Sequence, residues 1–263
     1  MFRVVIPARY ASVRLPGKVL LSIGGKPMLQ WVYERSRASR AHEVLIATDD
    51  LLIVSAAHGF GAETIMTSSA HLSGTDRIAE VARLRGWPAN DLIVNVQGDE
   101  PLIPPALISQ VADALESHPE ADLATLATPI RSAQELKDPN VVKVVTDLKG
   151  RALYFSRAPI PWNRDGAAAT LDSQRLFTHA RRHIGLYAYR VGSLLRLASL
   201  APTVLESSEK LEQLRAQEHG FTIQVADALA PPGPDVNTAQ DLERVLTALA
   251  LPGIDPQVDC AAQ

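Results

Sequence analysis

Three short stretches of this chain carry residue types that suit work on a phosphate ester. The first is Pro7-Ala8-Arg9-Tyr10-Ala11-Ser12-Val13-Arg14-Leu15-Pro16-Gly17-Lys18, which directly follows an apolar run. It places three cations, Arg9, Arg14 and Lys18, and the Ser12 hydroxyl in ten residues, with Gly and Pro to shape the loop. Arginine forks onto two phosphate oxygens and lysine brings a point charge near a scissile bond. The plain alternative is a solvated basic surface loop. Two common phosphate-binding motifs do not fit. A P-loop needs Ser or Thr after Gly-Lys, and here Val19 follows Gly17-Lys18; a dinucleotide fingerprint needs three spaced glycines, and the loop has one.

The second stretch is Val94-Asn95-Val96-Gln97-Gly98-Asp99-Glu100-Pro101. Its apolar residues point a strand into a core, so Asp99 emerges at the strand's end, where ligands bind in open α/β sheets. Magnesium favours such a carboxylate oxygen, with waters and phosphate oxygens completing its shell. A turn aspartate is the plainer reading, and the neighbouring cationic loop favours the ligand. The third stretch, Ser73-Gly74-Thr75-Asp76-Arg77, opens a helix with small residues, whose first N–H groups are open to negative oxygens; taken alone it is an ordinary capped helix.

Strand-like apolar runs must position these loops: Phe2–Ile6, Glu43–Ala47, Leu92–Val96, Leu123–Thr128, Val141–Thr146, Ala152–Phe155 and Ile184–Tyr189. Between them lie helical patterns, one with Met28, Leu29, Val32 and Tyr33, another with Leu107, Ile108, Val111, Ala112 and Leu115. Ser73 with Asp76 and Thr238 with Asp241 mark two helix starts. The alternation predicts an α/β fold, a three-layer Rossmann-like, mainly parallel sheet covered on both faces. Residues 1–251 read as a single domain, with an inserted region at about 150–190 that extends the sheet and carries subunit contacts, and 252–263 as a loose tail.

The chain has 263 residues, enough for a full core. Its 26 Lys and Arg against 29 Asp and Glu give a net charge of −3, which argues against nucleic acid as the main ligand. One cysteine, Cys260, forms no internal disulfide, and no Cys/His set has zinc spacing. No signal peptide and no run near the ~18 apolar residues of a membrane span are expected, so the protein reads as cytoplasmic.

Nine blocks in order, IPARYASVRLPGK, ATDD, SGTDR, VNVQGDEP, NVVKVV, ALYFSRAPIPW, RHIGLYAYR, LEQLR and QDLERV, resemble the 3-deoxy-manno-octulosonate cytidylyltransferases from residue 3 to about 247. The resemblance implies a magnesium-dependent transfer of CMP from CTP to an acidic eight-carbon sugar, which activates it for lipopolysaccharide synthesis, usually by a homodimer. It implies that Arg9, Ser12, Arg14 and Lys18 hold the CTP phosphates, with Lys18, Arg9 and Asp99 catalytic. Ser73, Gly74 and Arg77 fall on the cytidine side, and Gln97 lies between nucleotide and sugar. Arg157, His183, Tyr187, Glu212 and Gln213 fall on the sugar side, with Arg157 and His183 facing its carboxylate or hydroxyls. Two departures stand out. Where the family usually has Val-Asp-Thr with a metal-binding Asp, this chain reads Asp235-Val236-Asn237-Thr238, so either Asn237 or Asp235 takes the ligand's place. Ser207-Ser208 stands where the family often has a His-containing pair. Transfer to a sialic acid or an 8-amino octulosonate, and a nucleotide-binding protein without turnover, are the competing readings.

Overall fold

In the computed structural model, which describes residues 1–11, 17–162 and 179–250, the apolar runs become strands and the helically periodic segments helices. From the N-terminus come β1 (Phe2–Ala8), a 3-10 turn (Lys18–Leu20), the small hairpin β2 (Ser22–Ile23) and β3 (Lys26–Pro27), and α1 (Met28–Arg37). Next are β4 (Glu43–Thr48), α2 (Leu51–Gly59), β5 (Glu63–Met66), α3 (Gly74–Arg85), β6 (Leu92–Asn95) and α4 (Pro105–Glu116). Then follow β7 (Leu123–Pro129), α5 (Ala133–Lys137), β8 (Lys143–Thr146), β9 (Ala152–Ser156) and β10 (Arg181–Arg190). The last described elements are α6 (Val191–Ala198), α7 (Val204–Glu209), α8 (Gln213–Glu218), β11 (Ile223–Asp227) and α9 (Ala239–Ala250). The expected mainly parallel α/β fold holds.

Contacts divide the chain into two compact units. The first contains Met1–Trp87, Ile93–Ser109 and the described residues from Pro232 onward. Here β1 pairs in parallel with β4, Val4 opposite Val44 and Ile6 opposite Ile46, and β4 pairs in parallel with β5. On the other side of β1, the Val96 N–H donates to the Val5 carbonyl at 3.3 Å. Val4, Val5, Ile6, Leu45, Ile46, Ile93 and Val94 are fully buried. Strands covered on both faces read as continuous apolar runs, which leaves their ends to carry polar chemistry. A second apolar cluster of Ile23, Met28, Trp31, Leu102, Val236 and Val245 seats the segment before α9, with Leu242 and Leu249 packed against it. The Val236 N–H donates to the Asp99 carbonyl at 2.9 Å, so this segment is pinned to the loop after β6.

The second unit contains Pro88–Leu92 and the described residues between Gln110 and Pro231. In it β7 runs parallel to β11 and antiparallel to β10, β10 pairs antiparallel with β8, and β8 with β9. The register of β10 shifts between Ile184 and Tyr187, and Thr125 Oγ1 lies 2.9 and 2.8 Å from the Ile184 and Leu186 carbonyls there. Val141, expected in a strand, precedes β8; its N–H closes a turn on the Asp138 carbonyl at 3.1 Å. The run expected at Ile184–Tyr189 extends to Arg181–Arg190. Among the described residues no helix is long and apolar enough to cross a membrane. Ser12, Arg14, most of the Ala158–Arg175 stretch, and the tail with Cys260 lie outside the described residues.

Candidate active site

The ends of β1 and β6 and the start of α3 surround a cleft of about 470 Å³ in the first unit. Pro7, Ala8 and Arg9 line it from β1 and its exit, and Lys18 and Val19 from the 3-10 turn. His71, Leu72, Ser73, Gly74 and Arg77 line it around the start of α3; Gln97, Gly98 and Asp99 follow β6, and Asn237 precedes α9. Every sequence-predicted nucleotide residue among the described residues is therefore brought to one cavity, of a size usual for small-molecule sites.

Local chemistry explains how these side chains are held. Lys18 Nζ donates to Asp99 Oδ2 at 2.7 Å, a pair whose side chains are 12% and 29% exposed. Ser73 caps α3 by accepting the Asp76 N–H at 3.1 Å, as its spacing predicted. A Cβ on Gly74 would stand 3.1 Å from Pro7 Cγ, and one on Gly98 3.2 Å from the Pro7 carbonyl. The missing side chains thus let α3 and the β6 exit close on the end of β1. Arg77 is buried, with Nη1 donating to Thr67 Oγ1 at 2.5 Å and Nη2 3.2 Å from Asp49 Oδ2.

Beside Asp99 stands Glu100, one of whose carboxyl oxygens is buried without a hydrogen-bond partner among the described residues. Burial first, then the charges of Asp99 and Asp235, push its pKa up to about 8. At neutral pH it is therefore mostly uncharged and adds little negative field to Asp99. On the other flank the Asn237 amide donates through Nδ2 to Asp235 Oδ2 at 2.5 Å, which turns its carbonyl oxygen away from that carboxylate.

The sugar-side candidates lie in the second unit. The rings of His183 and Tyr187 of β10 lie 5.3 Å apart, tilted by 49°, and His183 meets Phe155 edge-on at 5.0 Å. His183 Nε2 is 3.0 Å from Thr125 Oγ1, and burial pulls its pKa down to about 3. A neutral imidazole suits a sugar hydroxyl; it brings no cation to a carboxylate. The Tyr187 hydroxyl is buried, with Thr125 beside it. Burial, then the fields of Tyr189 and Glu212, raise its pKa well above the usual value, so Glu212 lies within electrostatic reach of it. Gln213, at the start of α8, is buried, whereas Ser207 and Ser208 on α7 are exposed.

Arg157 is held by backbone. Its Nε donates to the Glu209 carbonyl at 2.6 Å and Nη1 to the Pro139 carbonyl at 2.8 Å, and its own N–H donates to Glu209 Oε2 at 2.9 Å. Arg157 thereby ties β9 to the turn that leads into Glu212 and Gln213.

The sequence profile of the cytidylyltransferase family matches residues 3–223. The 3-deoxy-manno-octulosonate cytidylyltransferase of Pseudomonas fluorescens is 58% identical over 244 residues, 93% of this chain and 96% of that protein. The protein of the same name from Thioalkalivibrio sulfidiphilus is 56% identical over 245 residues, 93% of this chain and 97% of its own. This chain belongs to the 3-deoxy-manno-octulosonate cytidylyltransferase family. The solved structure of a CMP:2-keto-3-deoxy-manno-octonic acid synthetase complexed with CTP superposes with a TM-score of 0.85 at 41% identity, covering 95% of this chain and 99% of that one.

Within a cytidylyltransferase, several residues found here escaped the sequence reading. Asp49 and Thr67 hold Arg77, and Glu100 buries one carboxyl oxygen beside Asp99. Lys143 is the clearest case. It is fully buried, and its ammonium donates to the carbonyls of Asp138 at 2.9 Å, Val141 at 2.6 Å and Arg157 at 2.5 Å. Burial lowers its pKa, with Asp138 and Glu209 opposing and Arg157 adding to the fall. Lys143→Met keeps the bulk but leaves three inward carbonyls without this donor. The expected result is a stability loss of about 2–4 kcal/mol in urea unfolding, with KM for the sugar raised more than KM for CTP.

Proposed function

We propose that this cytidylyltransferase transfers CMP from CTP to 3-deoxy-D-manno-octulosonate, releasing pyrophosphate and CMP-sugar. The observation that carries this reading is the meeting of Lys18 and Asp99 at 2.7 Å in a cleft that Arg9, Ser73, Gly74, Arg77 and Gln97 also line. The anomeric hydroxyl oxygen of the sugar forms a bond to the α-phosphorus, the bond from that phosphorus to the bridging oxygen breaks, and the hydroxyl proton passes to solvent. Arg9 and Lys18, with Ser12 and Arg14 of the same loop, bind the triphosphate and stabilise charge gathering on the leaving pyrophosphate. The neutral His183, the Tyr187 hydroxyl, Glu212, Gln213 and Arg157 read the sugar. The test is pyrophosphate release from CTP, sugar and Mg²⁺; turnover with a sialic acid but none with the octulosonate would overturn the substrate.

Magnesium fits the residues present. Asp99 offers a hard carboxylate oxygen, and Asn237, whose amide nitrogen donates to Asp235, brings a neutral amide oxygen of the kind that also suits such a cation. Among the described residues no three His, Cys, Asp or Glu side chains gather for a metal, so phosphate oxygens and water would complete the shell. Asp99 and Asn237 would hold the ion, with Asp235 orienting Asn237; when bound it supplies Lewis-acid stabilisation of phosphate charge. Asn237→Asp adds one negative charge there and is expected to lower the Mg²⁺ concentration for half-maximal rate about tenfold, a shift of roughly 1.4 kcal/mol. Titration of activity against Mg²⁺ checks it. The product feeds lipopolysaccharide synthesis, and the working protein is a cytoplasmic homodimer. Sedimentation at micromolar concentration tests the dimer.

A further inference from the structure

His71 takes no part in the chemistry so far, yet it lines the nucleotide cleft two residues ahead of the α3 cap. Its Nε2 lies 2.5 Å from Glu80 Oε2, and both side chains are largely buried, 19% and 27% exposed. The same carboxylate oxygen accepts the Ser68 N–H at 2.8 Å. Glu80 thus straps both ends of the 68–71 turn onto α3, one helical turn beyond Arg77. Burial works to raise the Glu80 carboxyl, yet the Ser68 amide, His71 and Arg77 outweigh it and hold it below the usual carboxylate range. Glu80 is therefore ionised at neutral pH.

A carboxylate facing one imidazole nitrogen fixes a proton there and sets the role of the other. With Nε2–H donated to Glu80, Nδ1 is the ring atom with which His71 can meet a ligand. We propose that His71 is a nucleotide-contacting residue of this cleft, and that Glu80 is its positioning residue. The proposal rests on the reading that the cleft binds CTP. A strap whose only task is to hold the turn needs no imidazole, since any donor to Glu80 would serve. The pair is instead built from a side chain whose second nitrogen can accept as well as donate, and it stands on the wall shared with Ser73, Gly74 and Arg77.

The geometry gives a test that separates contact from scaffold. In His71→Gln the amide nitrogen reaches about where Nε2 stands, so the bond to Glu80 is kept and the Nδ1 position is deleted. CTP affinity measured by calorimetry should fall about tenfold in His71→Gln, with an unchanged melting temperature, a raised KM for CTP and unchanged kcat. Glu80→Gln should weaken CTP several-fold in the wild-type background and add nothing in the His71→Gln background. A wild-type CTP affinity in His71→Gln overturns the contact, and additive losses in the double variant overturn the positioning role. Absence of CTP binding by the unaltered protein overturns the cleft reading itself, which tells the two failures apart.

Discussion

Lys18→Ala is expected to lower the rate of CMP transfer about a hundredfold or more, with a much smaller change in CTP affinity. Removal of one preorganised donor to a charge that develops in the transition state costs about 10²–10³ in rate. Lys18 fits that description. Its ammonium is held at 2.7 Å from Asp99 and is only 12% exposed, so it waits in place at little reorganisation cost. In the resting cleft it also neutralises Asp99, so the two side chains work as a unit and their substitutions should not add. Asp99→Asn in the Lys18→Ala background is expected to cost less than in the wild type. Lys18→Arg should restore little, because a planar fork cannot take the place of a compact point charge. Single-turnover release of pyrophosphate measures the chemical step. A rate within threefold of wild type would remove Lys18 from the reaction.

The parts of this molecule that were legible in the sequence are those fixed by neighbours along the chain. The runs around Val4–Ile6, Leu45–Ile46 and Ile93–Val94 are apolar because both faces are covered, and such runs announce themselves. Asp99 was legible because the run ends just before it. The caps at Ser73 and Thr238 were legible because the cap and its partner stand three residues apart; Thr238 Oγ1 accepts the Asp241 N–H at 3.2 Å. What escaped depends on groups far apart in sequence. Nothing near Lys143 announces that Arg157, fourteen residues on, turns a carbonyl toward it. Arg157 is the instructive case. Its residue type suggests an anion partner, yet each of its three guanidinium nitrogens donates to a backbone carbonyl, of Glu209, Pro139 and Lys210. The neutral state of His183 is likewise a product of burial, which no local pattern reports.

The same distinction governs Asp49→Ala, which is expected to lower stability by about 3 kcal/mol, near the low end for breaking a buried pair because Asp49 remains 20% exposed. Arg77 is only 4% exposed at its side chain, and its guanidinium rests on Asp49 at 3.2 Å and Thr67 at 2.5 Å. Without Asp49, a cation that cannot lose its proton keeps the neutral Thr67 hydroxyl beside it, and the desolvation already incurred goes largely uncompensated. Asp49→Asn should fall between, since it keeps an acceptor oxygen and loses the charge. Arg77→Met provides the decisive contrast. It removes the cation together with its need for a partner, so it should destabilise less than Asp49→Ala while weakening CTP more, because Arg77 itself lines the cleft. Urea unfolding and CTP calorimetry on the three variants give two orderings that must run in opposite directions. If Arg77→Met is the less stable protein, or if it binds CTP better than Asp49→Ala does, then Arg77 is a packing residue and Asp49 has no hold on the nucleotide through it.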